Sequence, residues 1–204
     1  MTVTTSRKRR IAKAPEDRRR ELMDAAVKEF TRKGVTETTI SDVTDAAGVA
    51  KGTFYLYFDS KEHLLAALRE RFVDELMAHS APFLERMGKE DWWKLADDVA
   101  ESMVDFTLEH ADQCAFIAQQ PHTPGTRDIL GESEQRITEM LAVGIRAGIE
   151  AGAFSVSDPE LAAAFLKHGT IWIVLEAILY GRHRPDRDRL VRVVKELNRK
   201  ALSP

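Results

Sequence analysis

One glycine turn near the amino end limits what this chain can fold into more than any other feature. It lies in residues 39–62, TISDVTDAAGVAKGTFYLYFDSKE. Ile40, Val43 and Ala47 recur at i, i+3 and i+7, one face of a short helix. Thr39 precedes it with Asp42 three residues on, the spacing of a capping box. Gly48 breaks the period, Val49 turns an apolar side chain into the corner, and a second helix is expected from about Ala50 to Phe58. At about 100° per residue, Phe54 and Phe58 share the face to be buried. Gly52, Thr53 and Leu56 fall opposite, flanked by Lys51, Tyr55 and Tyr57. A helix that only packs on its neighbours would carry charges there. This one offers a bare backbone, a hydroxyl, a branched apolar chain, two phenols and one cation. Lys, Tyr and Thr suit phosphate oxygens, and Leu and Tyr suit thymine methyls. A glycine lets the backbone come close to a ligand. The competing reading is a helical hairpin with a purely structural role. The order short helix, glycine turn, short helix favours helix-turn-helix.

The same residues carry a family likeness. TTISDVTDAAGVAKGTFYLYFDSKEHL resembles the DNA-binding signature of the TetR (tetracycline-repressor-type) family of transcriptional regulators, with its threonine pair, AGV, K-G-T-aromatic-Tyr-x-Tyr-Phe and S-K-E. The resemblance covers about thirty positions and departs at Ala50, where Ser is usual. Losing that cap oxygen costs about 1 kcal/mol. It implies an all-α protein: an N-terminal three-helix helix-turn-helix DNA-binding domain, then a C-terminal helical bundle for ligand binding and dimerisation. The expected DNA contacts are Thr39, Lys51, Gly52, Thr53, Tyr55, Leu56, Tyr57 and Lys61. Tyr55 and Leu56 would read bases, while Lys51, Thr53, Tyr57 and Lys61 would hold phosphates.

Charge distribution agrees. The chain of 204 residues is net −3, yet residues 1–20 carry eight cationic and two anionic side chains. A basic end on an acidic remainder suits a nucleic-acid contact at that end. Residues 1–13 read as a disordered basic arm, residues 14–62 as the DNA-binding domain, and residues 63–204 as the effector-binding and dimerisation domain. The single Cys114 excludes an intramolecular disulfide and fits a reducing cytoplasm. The longest apolar run, IWIVLEAILY at 171–180, is interrupted by Glu176, and no signal peptide is apparent, so a cytoplasmic protein is expected.

Helical periods continue to the end. Pro15, Glu16 and Asp17 start a first helix that Lys33 and Gly34 stop. A helix from Ser60 is expected to end near Pro82. The next, from Asp91 to His110, carries the stripe Trp92, Ala96, Val99, Met103, Phe106 and His110, with Asp97, Asp98, Glu101, Asp105 and Glu109 toward water. Residues 112–120 form a short helix, and Pro121–Gly125 a loop. Further helices span about 126–151, 159–180 and 185–201. In the second of these, Leu161, Phe165, His168, Trp172, Leu175 and Leu179 form one stripe, and residues 171–179 are apolar nearly all round. Such a helix is buried on every side, which suggests a second copy of the chain. The dimer interface is expected at Ile171, Val174, Ile178, Leu190, Val194 and Leu197. The cationic side of the last helix reads as solvated.

For the effector pocket, face arithmetic selects Met103, Phe106, His110, Phe116, His168 and Trp172. Such walls suit a small hydrophobic or aromatic effector, or an acyl-type one. No phosphate loop, nucleophile elbow or strand alternation supports an enzyme. His110, Cys114 and His122 have no supporting metal spacing, and no cofactor or metal is expected. The sequence therefore reads as a homodimeric, ligand-responsive repressor of a palindromic operator. The alternatives are a small-molecule-binding or enzymatic bundle with a vestigial DNA-binding head, and a non-specific architectural DNA-binder.

Overall fold

The computed structural model describes residues 14–118, 124–181 and 185–203. The basic arm, residues 1–13, and Pro121, His122 and Thr123 lie outside the described residues. The described residues contain helices and connecting turns, without a strand. The chain divides into two compact units, with the boundary between Lys61 and Glu62.

The first unit holds α1 (Pro15–Lys33), α2 (Ile40–Ala46) and α3 (Lys51–Phe54). Helix α1 starts on Pro15 with Glu16 and Asp17 in its first turn, where the helix dipole favours anions. It buries Leu22, Met23, Ala25, Ala26 and Phe30. Gly34, at φ +81°, ends it in the left-handed region. Helix α2 starts on a complete capping box. The Thr39 side chain accepts from the Asp42 N–H, and the Asp42 carboxylate accepts from the Thr39 N–H. Gly48, at φ +65°, makes the turn, and Val49 N–H donates to the Thr44 carbonyl. Helix α3 is shorter than expected. It is regular through Phe54 and continues as turns, in which Tyr57 and Phe58 N–H both donate to the Phe54 carbonyl. Ala50 supplies no side-chain cap. A four-residue helix has little propagation to offset its nucleation, so burial of Phe54 and Phe58 holds it in place.

The second unit comprises most of α4 (Lys61–Arg86), then α5 (Trp92–Glu109), α6 (Ala111–Ala118), α7 (Pro124–Glu150), α8 (Pro159–Leu179) and α9 (Arg187–Leu202). Helix α4 does not stop at Pro82. The proline sits inside it on the exposed side, and the chain turns only at Gly88, φ +71°. Aspartates cap three starts: Asp91 accepts from Lys94 N–H, Asp158 from Leu161 N–H and Asp186 from Arg189 N–H.

Three apolar clusters fill this unit. One joins Phe72, Val73 and Leu76 to Met103, Phe106, Cys114, Ile137 and Leu175. A second joins Ala100 and Val104 to Val174, Leu190, Val191 and Val194. The third gathers Ala142, Ile145, Phe154, Ala163 and Leu202 with Trp92 and Trp93. Gly148 belongs to this third region. A Cβ there would lie 2.2 Å from the Phe154 ring, so the glycine admits a ring from the turn after its own helix rather than a neighbouring helix.

The acids of α5 do not simply face water. Arg187 pairs with Glu101 and Asp105, Lys195 with Glu101, and Arg199 with Asp97. The cations of α9 are therefore partly a ladder onto α5 rather than a solvated face. Helix α8 has the length and composition of a membrane span. Its contacts with α5, α6, α7 and α9 and its buried Lys167 mark it as a bundle helix here.

Candidate functional site

In the first unit, Phe54 and Phe58 are 0% and 1% exposed, whereas Leu56 is 78% and Tyr55 50% exposed. The Tyr55 ring meets Phe54 edge-on, centroids 5.5 Å apart, which orients the phenol from behind. Lys51 is exposed, and Thr53 and Tyr57 are half-buried. A Cβ built on Gly52 meets no atom within 4 Å. The result is a short helix whose outer face presents apolar and hydroxyl-bearing groups to open space.

Two of the expected contacts have other roles. Lys61 Nζ donates to the carbonyls of Val35 at 2.8 Å, Thr36 at 3.2 Å and Thr38 at 3.0 Å. An ammonium has three protons, and here all three satisfy the loop between α1 and α2. Lys61 is a staple of the loop between α1 and α2, with its protons already engaged there. Lys61→Met should lower stability by about 2 kcal/mol, the scale of charge-assisted hydrogen bonds. An unchanged urea midpoint would overturn the staple assignment. Thr39 likewise works as the cap of α2. Its hydroxyl also donates to Asp42, whose carboxyl is held well below the usual range by the Lys33 ammonium and Thr39. Its polar atoms position α2 rather than wait for a phosphate.

The second unit has a partly open cavity of about 120 Å³ among α4, α5, α7, α8 and α9. Phe83, Leu84, Met87, Trp92, Leu95, Val99, Met103, Met140, Leu141 and Leu166 are among the large apolar groups along α4, α5, α7 and α8 that line it. Of the five expected lining residues whose side chains are described, Met103 alone borders it. Phe106 packs in the core with Phe72 and Leu175. His110 stacks on Phe106 at 4.1 Å and directs Nδ1 to the Phe106 carbonyl. Phe116 belongs to α6, but its side chain lies outside the described residues. His168, 65% exposed in its side chain, and Trp172, 53% exposed, lie on the outer face of α8. The stripe of α5 from Trp92 to Met103 was visible as periodicity. Which stripe borders a void depends on how distant side chains fill space.

One charged side chain reaches the cavity wall. Lys167 is 2% exposed and shares the inward face of α8 with Ala163, Thr170 and Val174. That phase is the signal sequence reasoning missed. Its ammonium is held by the Glu134 carboxylate, by Thr138 Oγ1 at 2.9 Å and by the Glu134 carbonyl at 3.3 Å. Arg69, 7% exposed, pairs with the same carboxylate. Burial pushes the Glu134 carboxyl up, but Lys167 and Arg69 more than reverse this and hold it low.

The expected dimer interface also needs correction. Val174, Leu190 and Val194 belong to the chain's own core, so they have almost no surface to give a partner. Ile171 and Ile178 are half-buried against the clusters. Leu197 remains 45% exposed. The open apolar face of α8 is instead Leu161, Phe165 and Trp172, continuing to Leu179 and Tyr180.

Cys114 is buried and its thiol is pushed up to about 12, so it is no nucleophile at neutral pH. Among the described residues, no three metal-ligating side chains gather.

Comparison with known proteins adds to this geometry. Residues 22–68 match the profile described as bacterial regulatory proteins, tetR family. The HTH-type transcriptional repressor KstR2 of Rhodococcus jostii (strain RHA1) is 29% identical over 161 residues, 78% of each chain. FadR from Bacillus subtilis, solved in complex with stearoyl-CoA, superposes with a TM-score of 0.77. It is 21% identical, over 90% of this chain and 98% of that one. A TetR-family regulator structure from Syntrophomonas wolfei superposes with a TM-score of 0.80 at 18% identity, over 92% and 96% of the two chains.

Proposed function

We propose, from the premise that this chain belongs to the TetR family of transcriptional regulators, that it represses transcription as a homodimer and is released from its operator by a small hydrophobic effector. The chain is a regulator and not an enzyme, as its relatives are. Each copy would place α3 and the turn after it in a major groove. Lys51, Thr53 and Tyr57 would hold phosphates, and Tyr55 and Leu56 would touch base edges. Two-fold symmetry then requires a palindromic operator with half-sites at least one helical turn apart.

A single observation carries the reading: Leu56 and Tyr55 stand exposed beside a glycine that opens onto empty space. Burial does not account for apolar groups held outward on so short a helix. The second copy would pack on Leu161, Phe165 and Trp172 of α8, with Leu197 of α9. The apolar cavity supports a hydrophobic effector, and the stearoyl-CoA seen with B. subtilis FadR supports an acyl-type one. By favouring a head spacing that no longer fits DNA, the effector would shift the population away from the bound state.

The test is a gel shift with DNA from upstream of the chain's own gene. Specific binding should exceed binding to scrambled duplex by about a thousandfold or more. Equal affinity for both, falling together with salt, would leave a non-specific DNA-binder.

A further inference from the structure

We propose that the effector is a monoanionic amphipathic acid, its apolar tail in the cavity and its carboxylate received by Lys167 and Arg69. This rests on the reading of the cavity as the effector site.

The argument begins with charge balance. Among the residues described around the cavity, Lys167 is the charged one. Nearly complete burial of a lysine is costly unless it is paired. Its partner, Glu134, is shared with Arg69, which is also more than nine-tenths buried. Two permanent cations therefore face one carboxylate, and the cluster holds one positive charge in excess. Arg69 Nε is buried and has no hydrogen-bond partner. A buried donor without an acceptor is a standing cost. One further carboxylate would satisfy that donor class and cancel the excess charge. A phosphate monoester, near −2 at neutral pH, would overshoot it.

Glu134 shows how a carboxylate is held there, bridging the two cations with its two oxygens. Its side chain is 41% exposed, whereas those of Lys167 and Arg69 are 1% and 8% exposed. The carboxylate is thus the partner with access to water, and the cations are the fixed ones. An incoming acid adds its carboxylate beside that of Glu134, which can shift toward water and share Lys167 and Arg69 with it. The cavity volume is comparable to engineered cavities that hold a benzene ring, so a tail of ring or medium-chain size fits.

The test uses the full chain with three probes of one tail length: octanoate, 1-octanol and octylamine. Binding is read from thermal shift and from tryptophan fluorescence, since Trp92 lines the cavity. Octanoate is expected to bind at least tenfold tighter than octanol, with octylamine weakest. Lys167→Met should bring octanoate down to the level of octanol. Glu134→Gln removes the anion that shares these two cations and raises their excess charge, so it should tighten octanoate at least threefold without improving octanol. A purely structural ion pair predicts the reverse, with both ligands weakened. Should Lys167→Met fail to fold, Glu134→Gln decides alone. Equal binding of octanoate and octanol by the unaltered chain overturns the acid preference and leaves the cavity reading standing. So does binding of octanoyl-CoA when octanoate is silent. Binding of none of these overturns the cavity reading as well.

Discussion

Gly52→Ala should give a chain that is more stable and yet binds its operator about 10- to 100-fold more weakly. Gly52 lies inside α3 with no left-handed φ, and a methyl there meets nothing within 4 Å. Alanine in place of a helical glycine typically adds about 0.5–1 kcal/mol, through the entropy of the unfolded chain. That corresponds to a melting-temperature rise of roughly 1–4 °C in a chain of this size. The loss on DNA has a different origin. The methyl projects from the face that carries Leu56, where the proposed docking brings the helix backbone against the groove. Displacing that backbone removes base-edge contacts, each worth about 1–3 kcal/mol. Opposite signs for stability and affinity separate a groove-facing glycine from one kept for folding. Wild-type affinity in the alanine variant would sink the docking. Tyr55→Ala is the companion measurement, since it removes a half-exposed ring and should cut operator binding with the dimer intact.

The second large effect is on assembly. Phe165→Glu with Trp172→Glu should yield folded monomers with operator affinity reduced at least about a hundredfold. Both side chains are more than half exposed in the single chain, at 68% and 53%, so charge there leaves the monomer core alone. Across a two-fold axis each substitution counts twice. Each large apolar side chain removed from water contributes about 1.5–3 kcal/mol, so the double variant loses several kcal/mol of association. Light scattering on eluting protein reads the mass, and gel shift reads the operator. A dimer that persists in the double variant would move the interface elsewhere. The same charge at Val174, which is 0% exposed, should unfold the chain instead.

Much of the architecture is carried by local rules. The start of α1 at Pro15, its stop at Gly34, the Thr39 capping box and the Asp158 cap depend on residues within one turn of each other. The buried pair Phe54 and Phe58 follows from the 3.6-residue period. Local signals fail where distant residues intervene. Pro82 reads as a stop but stands within α4, because a proline on the exposed side costs one hydrogen bond that the surrounding packing outweighs. Lys61 reads as a free cation because nothing in its neighbourhood shows that carbonyls 23–26 residues earlier are waiting for it.

By itself the amino-acid sequence determined the all-helical class, most helix starts and the glycine turn between α2 and α3, because caps, periods and turn residues act between near neighbours. Only the tertiary structure decided which apolar side of α8 stays open, where the cavity lies, and that Lys167, Arg69 and Glu134 meet. Exposure, voids and long-range ion pairs depend on what every other helix has already covered, and no window along the chain contains that information.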